Sequence, residues 1–409
     1  MNILIVCQYF YPENFRINDI AAEWIERGHN VSVVTGIPNY PEGRFYKGYS
    51  YRKNREEVYK GINIHRLFLI PRGKNKVGIV LNYLSFMLSG LIWAHTTRTK
   101  ADVIFSFETS PMTQLLIGTR YARRKHIRHI VYIQDLWPEN VEVVGGIHNP
   151  LIIRPLDSMV KYIYRNADLV LATSPSFVDL IIDRMNTDKK KSENDLSEKV
   201  IYWPQYAEEF YKPVAKPGNS VSDNICKIVF TGNIGYAQGL EILPGCAACL
   251  DKLGYRDKVK FILVGDGRAR KDLQKLIQDS KVTDMFEFRG RKKPEEIPGI
   301  LAECDLAFLS FSENKIFSAT IPAKLQSYMA CAMPILAVAT GETKRIIDTA
   351  ECGFCSKTGD EKALADSIEG FMNLLPEEIR KMSVNSLNYY REHFDRKMLM
   401  DKMEEYLIG

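Results

Sequence analysis

Continuous apolar runs that end in loops and are followed by helical spacing constrain this chain more than any other feature. Ile3-Leu4-Ile5-Val6-Cys7, Val31-Ser32-Val33-Val34-Thr35, Asp102-Val103-Ile104-Phe105-Ser106-Phe107, His129-Ile130-Val131-Tyr132-Ile133-Gln134 and residues 167–173 are such runs in the first half. Lys227-Ile228-Val229-Phe230 and residues 259–264, 305–309 and 334–338 repeat the pattern in the second, where 285–291 reads as a further strand. Runs without polar alternation suit strands covered on both faces, the condition of a parallel sheet flanked by helices. Between the first two runs, Ile17, Ile20, Ala21, Trp24 and Ile25 fall on one helical face that stops at Gly28. Alternation of this kind in both halves predicts an α/β chain: two doubly wound, Rossmann-like domains facing across a cleft. A length of 409 residues also exceeds what one ordinary core organises.

The expected boundaries are a first domain over 1–205, a second over 206–388, and a closing helix over 389–409 that returns to the first. Residues 212–220, rich in Pro, Gly and Ser, have linker composition, and the charged stretch 188–199 reads as a solvated loop. Hydrophobic residues at 45% and charged residues at 26% are those of a globular protein. The net charge of +5 is uneven: residues 1–205 hold 27 Lys and Arg against 20 Asp and Glu, residues 206–409 hold 28 against 30. A basic first half suits an anionic membrane surface or acidic substrates, and no nucleic-acid module is legible, so no nucleic-acid partner is expected.

Of the eight cysteines, Cys246-x-x-Cys249 and Cys352-x-x-Cys355 lie far apart in apolar contexts and read as buried thiols rather than halves of a metal site. Met1-Asn2 leads straight into a strand-like run, so a signal peptide is not expected and a cytoplasmic, reducing location is. Residues 77–94 contain no charge, with Arg72, Lys74 and Lys76 before them and Arg98 and Lys100 after. Polar Asn82, Ser85 and Ser89 dilute the run, which reads as a helix buried or grazing the inner membrane face rather than crossing it.

The candidate site is built from loops at strand ends, where open α/β sheets bind ligands. Pro322 opens a helix whose Leu325, Tyr328 and Met329 press onto the sheet. The amides of Ala323, Lys324 and Leu325 would then be unpaired, and with the Lys324 charge they would hold a diphosphate; an ordinary helix that happens to start with Pro is the alternative. Gly232-Asn233-Ile234-Gly235, Gln238 and Gly265-Asp266-Gly267 sit in strand–turn–helix contexts, without the third glycine or the acid of a dinucleotide fingerprint. In the first half the loop 8–16 carries Glu13 and Arg16, and the loop after the second run carries Pro38-Asn39-Tyr40-Pro41-Glu42-Gly43. Glu108 ends the third run, and Asp135-Leu136-Trp137-Pro138-Glu139 follows the fourth. Arg16 meets a phosphate or is a solvated helix-start arginine; Asp135 touches a sugar or caps a loop. The chain has no Asp-x-Asp pair to clamp a metal, so helix N-termini and basic side chains are left to stabilise a leaving diphosphate, and no cofactor is implied.

These residues resemble a known family. Thr231-Gly232-Asn233, Gly265-Asp266-Gly267, Phe288-Arg289-Gly290, Pro322-Ala323-Lys324 with Met329-Ala330, and Pro334 resemble the donor domain of retaining family-4 glycosyltransferases of the GT-B fold. Together with Pro38 to Gly43, Asp135 to Glu139, the turn from Gly232 to Gly239 and the helix start at Ile321, their order resembles the bacterial L-fucosamine (N-acetylfucosamine) transferases of O-antigen and capsule assembly. The resemblance implies a UDP-sugar donor and transfer with retention to a polyprenyl-diphosphate-linked saccharide. It implies Lys324 and Asp135 as catalytic groups, with Gly232, Asn233, Gln238, Gly265, Pro322, Ala323 and Leu325 on the donor. Gly290 and Arg291 would bracket the base, while Arg16, Glu13, Asn39, Tyr40 and Glu108 would line the phosphate or acceptor side. The chain departs from the family where many members place two glutamates: here stand Ala319 and Ser327, so Ser327 or Gln326 would take the ribose. Asn233 and Gln238 replace the usual Arg and Lys, and Ala332 replaces a glycine after the helix. A sugar-nucleotide 2-epimerase and a non-catalytic nucleotide-sugar-binding subunit remain as alternatives.

Overall fold

A computed structural model describes residues 1–143, 145–186, 198–216 and 225–409. The chain divides into two units, Met1–Trp203 with Met403–Gly409, and Pro204–Lys402. The C-terminal segment belonging to the first unit is shorter than 389–409, because the helix Pro376–His393 and the start of the helix Arg396–Ile408 belong with the second. Most of the charged stretch 188–199 and the end of the linker 212–220 lie outside the described residues; Lys216 pairs with Asp305 at 2.8 Å.

The first unit is built on an eight-stranded sheet. Its strands are β1 (Asn2–Val6), β2 (Asn30–Gly36), β3 (Glu56–Tyr59), β4 (Ile62–Leu67), β5 (Val103–Glu108), β6 (Arg128–Ile133), β7 (Leu169–Ala172) and β8 (Val200–Tyr202). They lie in the order β3-β4-β2-β1-β5-β6-β7-β8, parallel except for the β3–β4 hairpin. Every residue of β5 is buried, as a strand covered by helices on both faces must be. The winding reverses at β1, which pairs with β2 on one side and β5 on the other, so a topological switch point opens beyond its carboxyl end. Helix Arg16–Glu26 buries Ile17, Ile20, Ala21 and Trp24 on this sheet. Between β5 and β6, Gly118 lies so close to the sheet that a Cβ would stand 2.2 Å from Ser106 Oγ. That hydroxyl meets His129 Nε2 at 2.8 Å, and burial lowers the His129 imidazole to about 3, a neutral core residue.

The apolar stretch forms a helix over Lys76–Thr96, capped by Asn75, whose side chain accepts from the Gly78 amide at 2.7 Å. It buries Asn82, Phe86, Gly90 and Ala94, spaced four apart, and leaves its other side exposed. Gly90 permits the contact: a Cβ there would reach within 2.1 Å of Ile117 Cδ1.

The second unit carries a fully parallel six-stranded sheet, β11-β10-β9-β12-β13-β14. The strands are β9 (Cys226–Asn233), β10 (Val259–Asp266), β11 (Phe286–Gly290), β12 (Leu306–Ser310), β13 (Ile335–Val338) and β14 (Gly353–Ser356). Its switch point lies between β9 and β12. Ile228, Phe230, Leu263, Leu306, Phe308 and Leu336 form the sheet side of the core. Cys246 and Cys352 are fully buried, and burial pushes the Cys352 thiol up to about 12. The edge strand β14 is not legible in the sequence, which carries only Gly-Phe-Cys-Ser there. Gly353 is what allows it to pair, since a Cβ would meet Ile335 O at 1.9 Å.

Candidate active site

In the second unit β9 and β10 run in register to their ends, with Gly265 opposite Gly232 and Asp266 opposite Asn233. Gly265 has φ +144°, and a Cβ would stand 1.8 Å from Gly232 O, so the two strand ends close up only around glycine. Beyond Asn233 the chain makes a turn through Gln238, and Gly239 (φ +60°) leads on to the next helix. The turn is tied across the switch point to the end of β12: Ser310 Oγ donates to Gln238 O, and the Ser312 amide donates to Ala237 O at 3.1 Å.

The helix Ala323–Ala330 follows β12, with Pro322 as the extended residue before its first turn (φ −72°, ψ 136°). Leu325, Tyr328 and Met329 are buried. The Tyr328 hydroxyl accepts from the Thr231 amide at 2.9 Å and meets Thr231 Oγ1 at 3.1 Å, fixing the helix to β9 just before Gly232. Of the three amides expected to face a ligand, that of Leu325 is spent on Pro322 O at 2.9 Å. The amides of Ala323 and Lys324 have no partner among the described residues. Lys324 is half-buried, donates to Gln238 Oε1, and lies 4.0 Å from the Phe230 ring centre. Its Nζ is 3.8 Å from where a Cβ on Gly232 would be. Burial lowers its ammonium from 10.5 to about 7. A poorly solvated cation therefore lies beside a glycine turn, with two open amides at the start of the helix that carries it, a cradle of groups that attract anions.

The remaining donor-side residues divide. Asp266 accepts from the Gly267 amide at 2.9 Å, with Arg270 at 3.6 Å and Arg291 at 3.8 Å; these hold its carboxyl below the usual range, the amide most. Arg291 thus reaches the β10 end beside Gly290 (φ +65°). Gln326 and Ser327 are buried and serve their own helix. The Gln326 amide nitrogen, in the orientation that satisfies both ends of the group, donates to Pro322 O and Ala323 O, and Ser327 Oγ donates to Ala323 O at 3.2 Å. Ala332 adopts φ +57°, where a Cβ costs roughly 1 kcal/mol relative to glycine. A hollow of about 830 Å³ near Phe288 and Glu296 lies away from this cradle, and Arg289 beside it is already paired with Glu287 and Glu303.

In the first unit, two clusters sit at strand ends. Glu13 is buried and its Oε1 accepts from the Asn39 and Tyr40 amides at 2.7 and 2.6 Å, joining the loops after β1 and β2. Burial raises its carboxyl to about 7. Glu13→Ala strands both amides and should cost about 2–4 kcal/mol of unfolding free energy in urea. Glu13→Gln keeps an oxygen there. Because the folded acid titrates near 7 and the unfolded one near 4.5, wild-type stability declines as pH rises between those values, and either variant should remove that decline.

The second cluster is Glu108 and Asp135. Glu108 Oε2 accepts from the Gln134 and Asp135 amides at 3.0 and 2.9 Å, while burial, and then the Asp135 charge, hold its carboxyl well above the usual range. Asp135 Oδ2 accepts from the Ser110 amide and hydroxyl at 3.0 and 2.8 Å, and Ser110 Oγ accepts from Trp137 Nε1 and Asn140 Nδ2 at 3.1 and 2.9 Å. Arg72 bridges the clusters, 5.2 Å from the Tyr40 ring and 5.9 Å from that of Tyr83, whose phenol feels the Asp135 charge. Sequence reasoning missed Ser110, Arg72 and Tyr83; their signal was position alone, just past strand ends or on the apolar helix. Arg16 begins its helix in the loop after β1, half-buried, and its charge reaches Tyr132 of β6.

Residues 14–191 match the model of the glycosyl transferase 4-like domain, and residues 216–386 that of glycosyl transferases group 1. Among curated relatives, the WcaI protein of Escherichia coli K12, assigned to colanic acid biosynthesis as a glycosyl transferase, is 25% identical over 352 residues, 81% of each chain. The structure of WaaG, a glycosyltransferase involved in lipopolysaccharide biosynthesis, superposes with a TM-score of 0.68 at 15% identity, covering 100% of both chains. That of Anabaena HepE in complex with UDP-glucose does so with a TM-score of 0.66 at 15% identity, covering 100% of this chain and 99% of the other. With the two domain models in this order along most of its length, and the GT-B fold of these structures, the chain belongs with the family-4 glycosyltransferases.

Proposed function

We propose that the chain transfers a sugar, such as N-acetyl-L-fucosamine or a related N-acetylated sugar, with retention, from its UDP-sugar to a polyprenyl-diphosphate-linked saccharide during bacterial surface polysaccharide assembly. The observation that carries this reading is the Lys324 ammonium set beside Gly232 and the open amides of Ala323 and Lys324. A cation and dipole ends of this kind stabilise the charge that develops on a departing UDP. The bond from the anomeric carbon to the diphosphate breaks, and the acceptor oxygen bonds to that carbon on the same face. The acceptor's proton passes to the leaving phosphate oxygen. Gly290 and Arg291 are assigned to the base, Asn233 and Gln238 to the donor turn. The rim of Tyr40, Arg72, Tyr83 and Asp135 offers aromatic faces and one oriented carboxylate to a saccharide. The E. coli relative is assigned to colanic acid biosynthesis and the Anabaena protein holds UDP-glucose, which favours polysaccharide assembly and a UDP-sugar donor here.

The test is incubation of the full chain with a panel of UDP-sugars and lipid-linked saccharides extracted from polysaccharide-producing bacteria. A product heavier by one sugar residue, with its donor's anomeric configuration, is expected. Conversion of a UDP-sugar to its epimer without acceptor would identify an isomerase instead, and inertness toward the whole panel would leave only a binding role.

A further inference from the structure

The helix Lys76–Thr96 has a side that no described residue of its unit covers. Val77 (67% exposed), Leu84 (42%), Leu88 (56%) and Ile92 (66%), with Val80 and Leu81 beside them, form one apolar stripe. It runs opposite the buried row Asn82, Phe86, Gly90 and Ala94, over about 22 Å at the helical rise. The uncharged run 77–94 hence serves two surfaces: one anchors the helix on Ile117 and its neighbours, the other faces solvent. Apolar area of this extent on the surface of a folded unit marks an interaction site.

The charge around the stripe selects its partner. Residues 58–101 contain no Asp or Glu, but they contain Lys60, Arg66, Arg72, Lys74, Lys76, Arg98 and Lys100. Lys74 and Lys76 are exposed before the stripe, and Arg98 and Lys100 after it. Arg120, from the neighbouring helix Leu115–Lys125, reaches His95 Nδ1 at 3.0 Å and lines a shallow hollow with Leu91 and Ile92. A second copy of this helix would bring basic ends against basic ends in either direction. An anionic bilayer offers the complement: hydrocarbon beneath the stripe and phosphates around its ends.

We propose that the exposed face of Lys76–Thr96 lies in the plane of a membrane rich in anionic phospholipid, docking the first unit there. The inference rests on the reading that the acceptor is lipid-linked, and it places the acceptor rim, to which Tyr83 of the same helix belongs, on that membrane. Asn82 Nδ2 donates to Ile70 O at 2.6 Å and Asn82 Oδ1 accepts from Gln8 Nε2 at 2.7 Å, so the docked helix is also part of the β1 switch point.

Flotation of the full chain with vesicles of phosphatidylcholine, alone or with phosphatidylglycerol, tests this. Binding to the anionic vesicles only, and its loss in high salt, are expected. Leu84→Glu/Leu88→Glu should weaken partitioning at least about tenfold. Replacing Lys74, Lys76, Arg98 and Lys100 together with glutamine should weaken it by roughly six hundredfold, since each basic residue contributes ~fivefold at such a surface. Circular dichroism and UDP affinity, read in parallel, should match wild type, because these residues are remote from the Lys324 cradle in sequence and unit. Vesicle binding without UDP binding would overturn the donor assignment and leave this one standing. Equal binding to neutral vesicles, indifference to both variants, or a dimer that Leu84→Glu/Leu88→Glu turns into a monomer would overturn the membrane proposal.

Discussion

Lys324→Met should lower turnover by roughly 10²–10³-fold, the usual effect of removing one donor to developing negative charge, while the unliganded protein becomes more stable. The two effects share a cause. Burial leaves the ammonium near 7 rather than 10.5, with the Gln238 side-chain oxygen and the Phe230 ring beside it in place of water. The unfolded chain therefore binds more protons between those values, and wild-type stability rises with pH across that window. Met fills similar volume without charge, so the variant should melt higher than wild type at pH 7 and below and lose that slope. Affinity moves the other way. A bound diphosphate raises the lysine's pKa, so UDP binding takes up a proton near and above pH 7. Wild-type affinity should then fall as pH rises past 7, by up to about tenfold per unit, and titration calorimetry in two buffers of different ionisation enthalpy measures the uptake. An unchanged turnover in Lys324→Met, or a lower melting temperature, would remove the lysine from the site.

Gly265→Val should destabilise the second unit by roughly 3–5 kcal/mol, combining a strained φ with overpacking. The obstacle is backbone rather than a movable side chain: the new Cβ would stand 1.8 Å from Gly232 O, and φ is +144°. Relief requires β9 and β10 to part at their ends, which displaces Gly232 from Lys324. Urea denaturation should show the loss of stability, and UDP affinity should fall further than the unfolded fraction explains. Gly254→Val is the control. It too has positive φ (+80°), but its Cβ would meet nothing within 4 Å, so it should cost less and leave affinity alone.

The long apolar runs made both sheets legible, because strands buried on both faces leave a composition that few other structures share. The same logic placed the helix start at Lys324 and the glycine turn before it, where local chemistry dictates local geometry. It failed where tertiary partners decide. Ser110 is a common residue in a loop, and its role appears only when Asp135, Trp137 and Asn140, far along the sequence, all meet its hydroxyl. The strand Gly353–Ser356 is too short for any periodicity, and a neighbouring strand is what recruits it.

The phenol of Tyr328 sits more than a turn past the helix start, yet it bonds to both the amide and the hydroxyl of Thr231. The helix end that would receive the diphosphate is thereby fastened to the sheet whether or not a ligand is there. Ordering of these groups belongs to folding rather than to binding, and a ligand arriving at Lys324 meets a surface that has little left to rearrange.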